Sequence, residues 1–146
     1  MLKNMFKKNT KEKVNNNIAI VALLVHAAKI DEDYTDKEKE MIKKVIMQLN
    51  DVNHDESENL LKASEKLEAE SNQIVEFTKE IKKYSMESRL NIIEIIWKIV
   101  YSDGTSDSYE SNLIRRICGL LYVSDKDNGI VKNKVQNLVK KNDIYS

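Results

Sequence analysis

The chain has no proline, three glycines and a single cysteine in 146 residues. Without proline and with so little glycine it lacks the punctuation of a sheet protein, in which tight turns recur every few residues. One cysteine, Cys118, excludes an internal disulfide and fits a reducing compartment. Aromatic residues make up 6% of the chain, and Trp97 is the only tryptophan. Net charge is also missing, because 24 basic side chains face 24 acidic ones, so no overall field draws nucleic acid. There is no glycine-rich phosphate loop, no Cys/His cluster of zinc spacing and no His-x-x-x-His pair. The longest uninterrupted apolar run, Ile18 to Val25, is far too short to span a bilayer.

What is present is charge, a third of the chain, interleaved with Ile, Leu and Val at helical spacing. The fold class is all-α: one compact bundle of about seven helices. The most apolar stretch, Leu90-Asn-Ile-Ile-Glu-Ile-Ile-Trp-Lys-Ile-Val-Tyr-Ser-Asp-Gly104, leaves polarity mainly to Asn91, Glu94, Lys98 and Tyr101. A helix with so narrow a polar stripe belongs inside a bundle and is expected to be its centre. Asp103-Gly104 should end it.

Residues 1–13 read as a basic, loosely held segment, with Lys3, Lys7, Lys8, Lys11 and Lys13 against Glu12 alone. Leu2, Met5 and Phe6 at helix-face spacing give it the makings of a weak membrane-surface contact. The helical domain is expected over 14–141. Ile18 to Val25, ending in Val25-His-Ala27, superficially fits a secretion leader, but its removal would delete the first helix, so it is assigned to the bundle. Thr35-Asp-Lys-Glu38 is a capping box opening helix 2, with Met41, Ile42, Val45, Ile46 and Leu49 inward. Asn53 caps helix 3, which buries Leu60, Leu61 and Leu67. Helix 4 is expected over about 72–84, burying Ile74, Phe77 and Ile81. Ser85 caps the central helix, and Asp107-Ser-Tyr-Glu110 caps helix 6, with Leu113, Ile114, Ile117 and Leu121 inward. Helix 7 is expected to be interrupted at Asn128-Gly129.

Sliding the chain along itself by 72 residues aligns Asp31 with Asp103, Glu38 with Glu110, Val25 with Trp97 and Ile42 with Ile114. After a one-residue slip Val52-Asn53 meets Val123-Ser124. The chain is therefore two pseudo-repeats of three helices joined by a linking helix. His26 and His54 read as structural, and Cys118, aligned with Ile46, as a core thiol.

An apolar helix ending in Ile-Val-Tyr-Ser-Asp-Gly, then Glu seven residues after the Asp, repeated as Ala-Ala-Lys-Ile-Asp31 through Glu38, resembles the TerB-like family associated with bacterial tellurite resistance. The resemblance covers about residues 14 to 140. It implies two pseudo-symmetric helical halves, cytoplasmic or at the inner face of the membrane, in stress-response assemblies that sometimes carry J-type co-chaperone modules. It also implies a divalent cation, calcium or magnesium, at Asp31, Glu38, Asp103 and Glu110, with Asp33 and Asp107 as secondary positions. The first half departs from the pattern in having Glu32 where glycine is expected.

Capping and the helix dipole account for Glu38, Glu110 and Asp107 without any cation. They do not account for Asp31 and Asp103, which stand at helix C-terminal ends where negative charge is disfavoured. Neither turn is an EF-hand, since Ile42 and Ile114 fall where the bidentate Glu belongs. The expected function is a non-enzymatic interaction module that docks a protein partner through its acidic turns. The alternative is a small metal-dependent hydrolase or transferase using the same carboxylates.

Overall fold

Six consecutive residues, Ile20 to Val25, are each no more than 2% exposed. At 100° per residue they cover the whole circumference of a helix, so that helix must be wrapped on every side. In the computed structural model α1 (Thr10–Ala28) is packed by α2 (Asp36–Asn50), α3 (His54–Glu70), α4 (Val75–Ile81) and α5 (Met86–Val100). It also touches α6 (Ser108–Leu120), while α7 (Asp125–Tyr145) covers α5 from the other side. The structure describes residues 10–29, 34–71, 73–103 and 108–145, with side chains at 18–29, 34–49, 51–71, 73–102 and 111–140. Among these the architecture is all-α. The hub is α1, not the helix expected from its apolarity, because Ala22, Ala27 and Ala28 let neighbours approach closely while α5 keeps a polar stripe. The helix begins at Thr10, four residues inside the segment read as loosely held.

That stripe is used. Glu94 accepts from Lys98 one turn away at 3.1 Å and from Lys134 of α7 at 2.7 Å. Burial alone would push the Glu94 carboxyl up, but the two lysines outweigh it and hold it below the usual carboxylate range. Tyr101, expected on the stripe, is instead buried: it stacks on Trp97 with ring centroids 5.6 Å apart, and its hydroxyl accepts from Gln136 Nε2 at 2.8 Å. Trp97 is 1% exposed, and its indole N–H is satisfied by Asn128 Oδ1 at 2.9 Å.

The boundaries repeat as the alignment requires. Ala28 and Val100 end the first helix of each triplet, and Asp36 and Ser108 start the second, each pair 72 apart. The one-residue slip has a physical mark. The only non-glycine residues of positive φ among those described are Asp51 (55°) and Tyr122 (58°), which correspond once the slip is taken. Both end the second helix of their triplet. At Tyr122 the closure is a Schellman motif, with Val123 N–H donating to the Cys118 carbonyl at 2.8 Å and Tyr122 N–H to Gly119 at 3.3 Å.

Two helices differ from expectation. The linking helix α4 spans seven residues rather than about 72–84. Its start has no side-chain cap, and after Ile81 the chain tightens into i→i−3 bonds, with Tyr84 N–H on the Ile81 carbonyl at 3.0 Å. Arg89 then takes the Tyr84 carbonyl at 3.0 Å and the Leu121 carbonyl at 2.7 Å, satisfying two chain ends at once. In α7, Asn128-Gly129 does not interrupt the helix. Ser124 caps it by accepting from Asp127 N–H at 3.1 Å, and the Asn128 side chain is occupied by Trp97 and so does not compete for backbone. Among the described residues no helix is long and apolar enough to cross a membrane, and Ile18 to Val25 lie inside α1.

Two measurements follow from these ends and pairs. Tyr122 is 66% exposed and has little packing to lose, so Tyr122→Gly should stabilise the protein by about 1 kcal/mol by removing the left-handed penalty. A destabilised variant in urea titration would count against that backbone conformation. Glu94, with its lowered pKa, contributes stability above its unfolded pKa that is lost as pH falls through the folded one. Glu94→Gln should therefore cost less than about 1 kcal/mol at neutral pH, with the deficit closing in acid. A deficit that persists at low pH would refute the charge origin.

Candidate functional site

The two acidic turns lie where each triplet passes from its first helix to its second. In the first, α1 closes with Lys29 N–H on the Val25 carbonyl at 3.0 Å, and α2 opens after Thr35 in extended conformation. The capping box is complete. Glu38 N–H donates to Thr35 Oγ1 at 3.1 Å, and Glu38 Oε1 accepts from Thr35 N–H at 2.8 Å and from the Thr35 hydroxyl at 3.0 Å. Glu38 is 7% exposed, so its carboxylate is a buried part of the helix start before it is anything else.

In the second turn α5 runs into a 3-10 turn, Tyr101–Asp103, and α6 resumes at Ser108. The turns meet through Lys37, which follows the first residue of α2 and donates its ammonium to the Ser102 carbonyl. The structure thus brings together the neighbourhoods of Glu38 and Asp103, 65 residues apart in sequence. Asp103 is the last residue of the 3-10 turn and Glu110 the third residue of α6, but neither side chain is among those described. Asp31, Asp33 and Asp107 lie outside the described residues, as do Glu32 and Gly104. The N-terminal lysines expected to touch a membrane also lie outside the described side chains.

Further acids border the first turn that the sequence reading passed over. Glu68, near the end of α3, accepts from Lys29 Nζ at 3.0 Å and lies 3.3 Å from His26 Nδ1. His26, read from the sequence as structural, has Glu68 as its partner. Tyr34 is half-buried, and burial first and the Glu65 carboxylate second push its phenol far above the ordinary range, with Glu38 and Glu68 adding. Among the described residues no well-formed hydrogen bond closes on its hydroxyl. The signal that would have found Glu65 and Glu68 is the one that singled out Asp31 and Asp103: acids in the closing turns of a helix, against the dipole.

Among the described residues no three His, Cys, Asp or Glu side chains gather as a metal ion would require. Glu38 already gives one oxygen to its cap, and Lys37 brings a positive charge between the turns. A cation there would draw its remaining ligands from 31–33 and 103–110. Cys118 is a core thiol, fully buried in α6, and burial followed by the Asp125 charge pushes it up to about 12. It is therefore a poor nucleophile.

The family described as "Tellurite resistance protein TerB" matches this chain over residues 17–133, from inside α1 to inside α7. The chain belongs to the TerB family. The matched span includes both acidic turns and the linking helix, so the TerB assignment covers most of the chain and not one motif. No curated protein and no solved structure matches it.

Substitution at Glu38 separates the oxygen's role from the charge's. Glu38→Ala leaves the Thr35 N–H without its acceptor and should cost about 1–2 kcal/mol. Glu38→Gln keeps an oxygen in reach and should lie within about 0.5 kcal/mol of wild type. Equal losses in denaturant titration would mean that the negative charge, not the cap bond, holds the turn.

Proposed function

We propose that this TerB protein is a non-catalytic interaction module of the cytoplasm, whose paired acidic turns form one docking surface for a protein partner. A divalent cation, calcium or magnesium, would join the turns through Asp31, Glu38, Asp103 and Glu110, with Asp33 and Asp107 in reach. The observation that carries the reading is the bond from Lys37 to the Ser102 carbonyl, which sets the two turns side by side. Two half-sites with few ligands each become one larger surface, and hard cations need several oxygens. Lys37 has the place of a counter-ion there, and a bound cation would compete with it. The sequence positions of Asp31 and Asp103, each three residues past the last residue of its triplet's first helix, support the same reading, because acids that follow a helix C-terminus are tolerated most readily where something positive offsets them.

The test is thermal unfolding of the whole chain in chelator and in millimolar calcium or magnesium. A folded state that binds the ion gains stability by mass action, so wild type should melt higher with the ion. Asp31→Asn with Asp103→Asn should melt slightly higher than wild type in chelator and lose the ion response. Lys37→Gln, which removes the competing charge, should enlarge the response. If wild type gives no ion-dependent shift and the Lys37 variant gives none either, the cation is not part of the function.

A further inference from the structure

The two triplets differ at one corner. In the first, α2 and α3 are tied by Lys43, whose ammonium lies 3.0 Å from a Glu58 carboxylate oxygen and 3.1 Å from Glu40. Hydrogen bonding to Glu58, then to Glu40, raises the Lys43 pKa, and the same bond lowers that of Glu58. Leu61, 4% exposed, fills the adjoining space. In the repeat register Arg115 stands for Lys43, Gly129 for Glu58, Lys132 for Leu61 and Trp97 for Val25. The second triplet has therefore lost a carboxylate together with its stem and has gained a cation in place of an apolar side chain.

The space left is open. A cleft of about 330 Å³ lies between α5, α6 and α7, with Trp97, Arg115, Asp125, Asn128, Gly129 and Lys132 among its walls. A Cβ placed on Gly129 would meet nothing within 4 Å, so no neighbour has moved in to replace the missing side chain. Lys132 Nζ stands 5.2 Å from the centre of the Trp97 ring, and Asn128 is held by the indole N–H. Among the described residues the carboxylate paired with Arg115 is Asp125, at 3.5 Å, with both side chains more than 70% exposed, a pair too loose to saturate a guanidinium.

We infer that this cleft binds a small organic carboxylate, whose carboxyl group takes the place that Glu58 holds in the first triplet. Arg115 offers a planar donor fork that matches a carboxylate in two hydrogen bonds, and Lys132 adds a second positive charge across the cleft. The Gly129 gap admits the stem, beside the nearly covered Trp97 in the cleft wall. The volume sits at the low end for ligand clefts, which run from about 300 to 1,000 Å³, and suits a short dicarboxylate more than a nucleotide.

Trp97 is the only tryptophan and borders the cleft, so all indole emission comes from one residue beside it. Titrating the full chain with glutarate should change that emission saturably, with a midpoint on the order of millimolar, as expected for one or two exposed charge-assisted bonds. Glutaramide, which has the same shape without charge, should do nothing. Arg115→Gln should weaken the glutarate response about tenfold. Gly129→Glu should supply the carboxylate from within, abolish the response and melt above Gly129→Gln, which controls for side-chain volume and helix propensity. The absence of any saturable change below about 50 mM glutarate would overturn the proposal, as would a response that survives in both Arg115→Gln and Gly129→Glu. Inorganic phosphate binding as tightly as glutarate would overturn the carboxylate assignment. A Glu-containing peptide that binds where glutarate fails would overturn the small-molecule assignment.

Discussion

A helical stretch with no solvent face can exist only where other helices surround it, and Ile20 to Val25 of α1 are such a stretch. Burying an aliphatic side chain fully stabilises a fold by about 1.5–3 kcal/mol relative to exposure, and Ile20, Val21, Leu23, Leu24 and Val25 are buried in succession. Their cover does not come from one triplet. The partners α2 and α3 lie within the first repeat, but α4 and α5 belong to the linker and the second. The two halves are therefore not independent units set side by side. The first supplies the hub and the second completes its wall, which is why a short linking helix with no cap of its own can be held in place.

Much of this was legible in the residues. Thr35, Asn53 and Ser85 cap the helices they were expected to cap, and the inward positions Ile42, Ile46, Ile114 and Ile117 are buried. Local chemistry dictates these features, and local chemistry is what a sequence states directly. The duplication was readable because burial enforces a period even where identity has faded. The hub was misread because hydropathy ranks side chains by apolarity, whereas the centre of a bundle also admits small ones: Ala22, Ala27 and Ala28 are buried on α1, while α5 keeps the polar stripe of Glu94 and Lys98. Asn128-Gly129 looked like a break because a pair of weak helix formers says nothing about Trp97, 31 residues earlier, which occupies the asparagine.

The candidate site was less legible, since the property that matters there is which turn faces which. Nothing in the spacing of Lys37 discloses that it reaches Ser102. Nor does spacing reveal that Glu65 and Glu68 border the same turn, because they come from the far end of α3. The doubled acid pattern contained two meanings at once. Glu38 is demonstrably a cap, with its oxygen bound to Thr35, and a residue engaged in that way can still lend its charge to whatever docks beside it.

The position of the hub in the chain has a consequence during synthesis. α1 is complete at residue 28, but α5, which closes its wall, ends only at residue 100. At the usual bacterial and eukaryotic elongation rates the ribosome needs roughly 4 to 14 s to make that intervening stretch. For part of that time the six apolar residues Ile20 to Val25 are outside the ribosome with the wall around them still incomplete, because α5 comes after α2, α3 and α4. Until then a nascent TerB chain presents the kind of surface that holdase chaperones recognise, and the arrival of α5 ends that exposure.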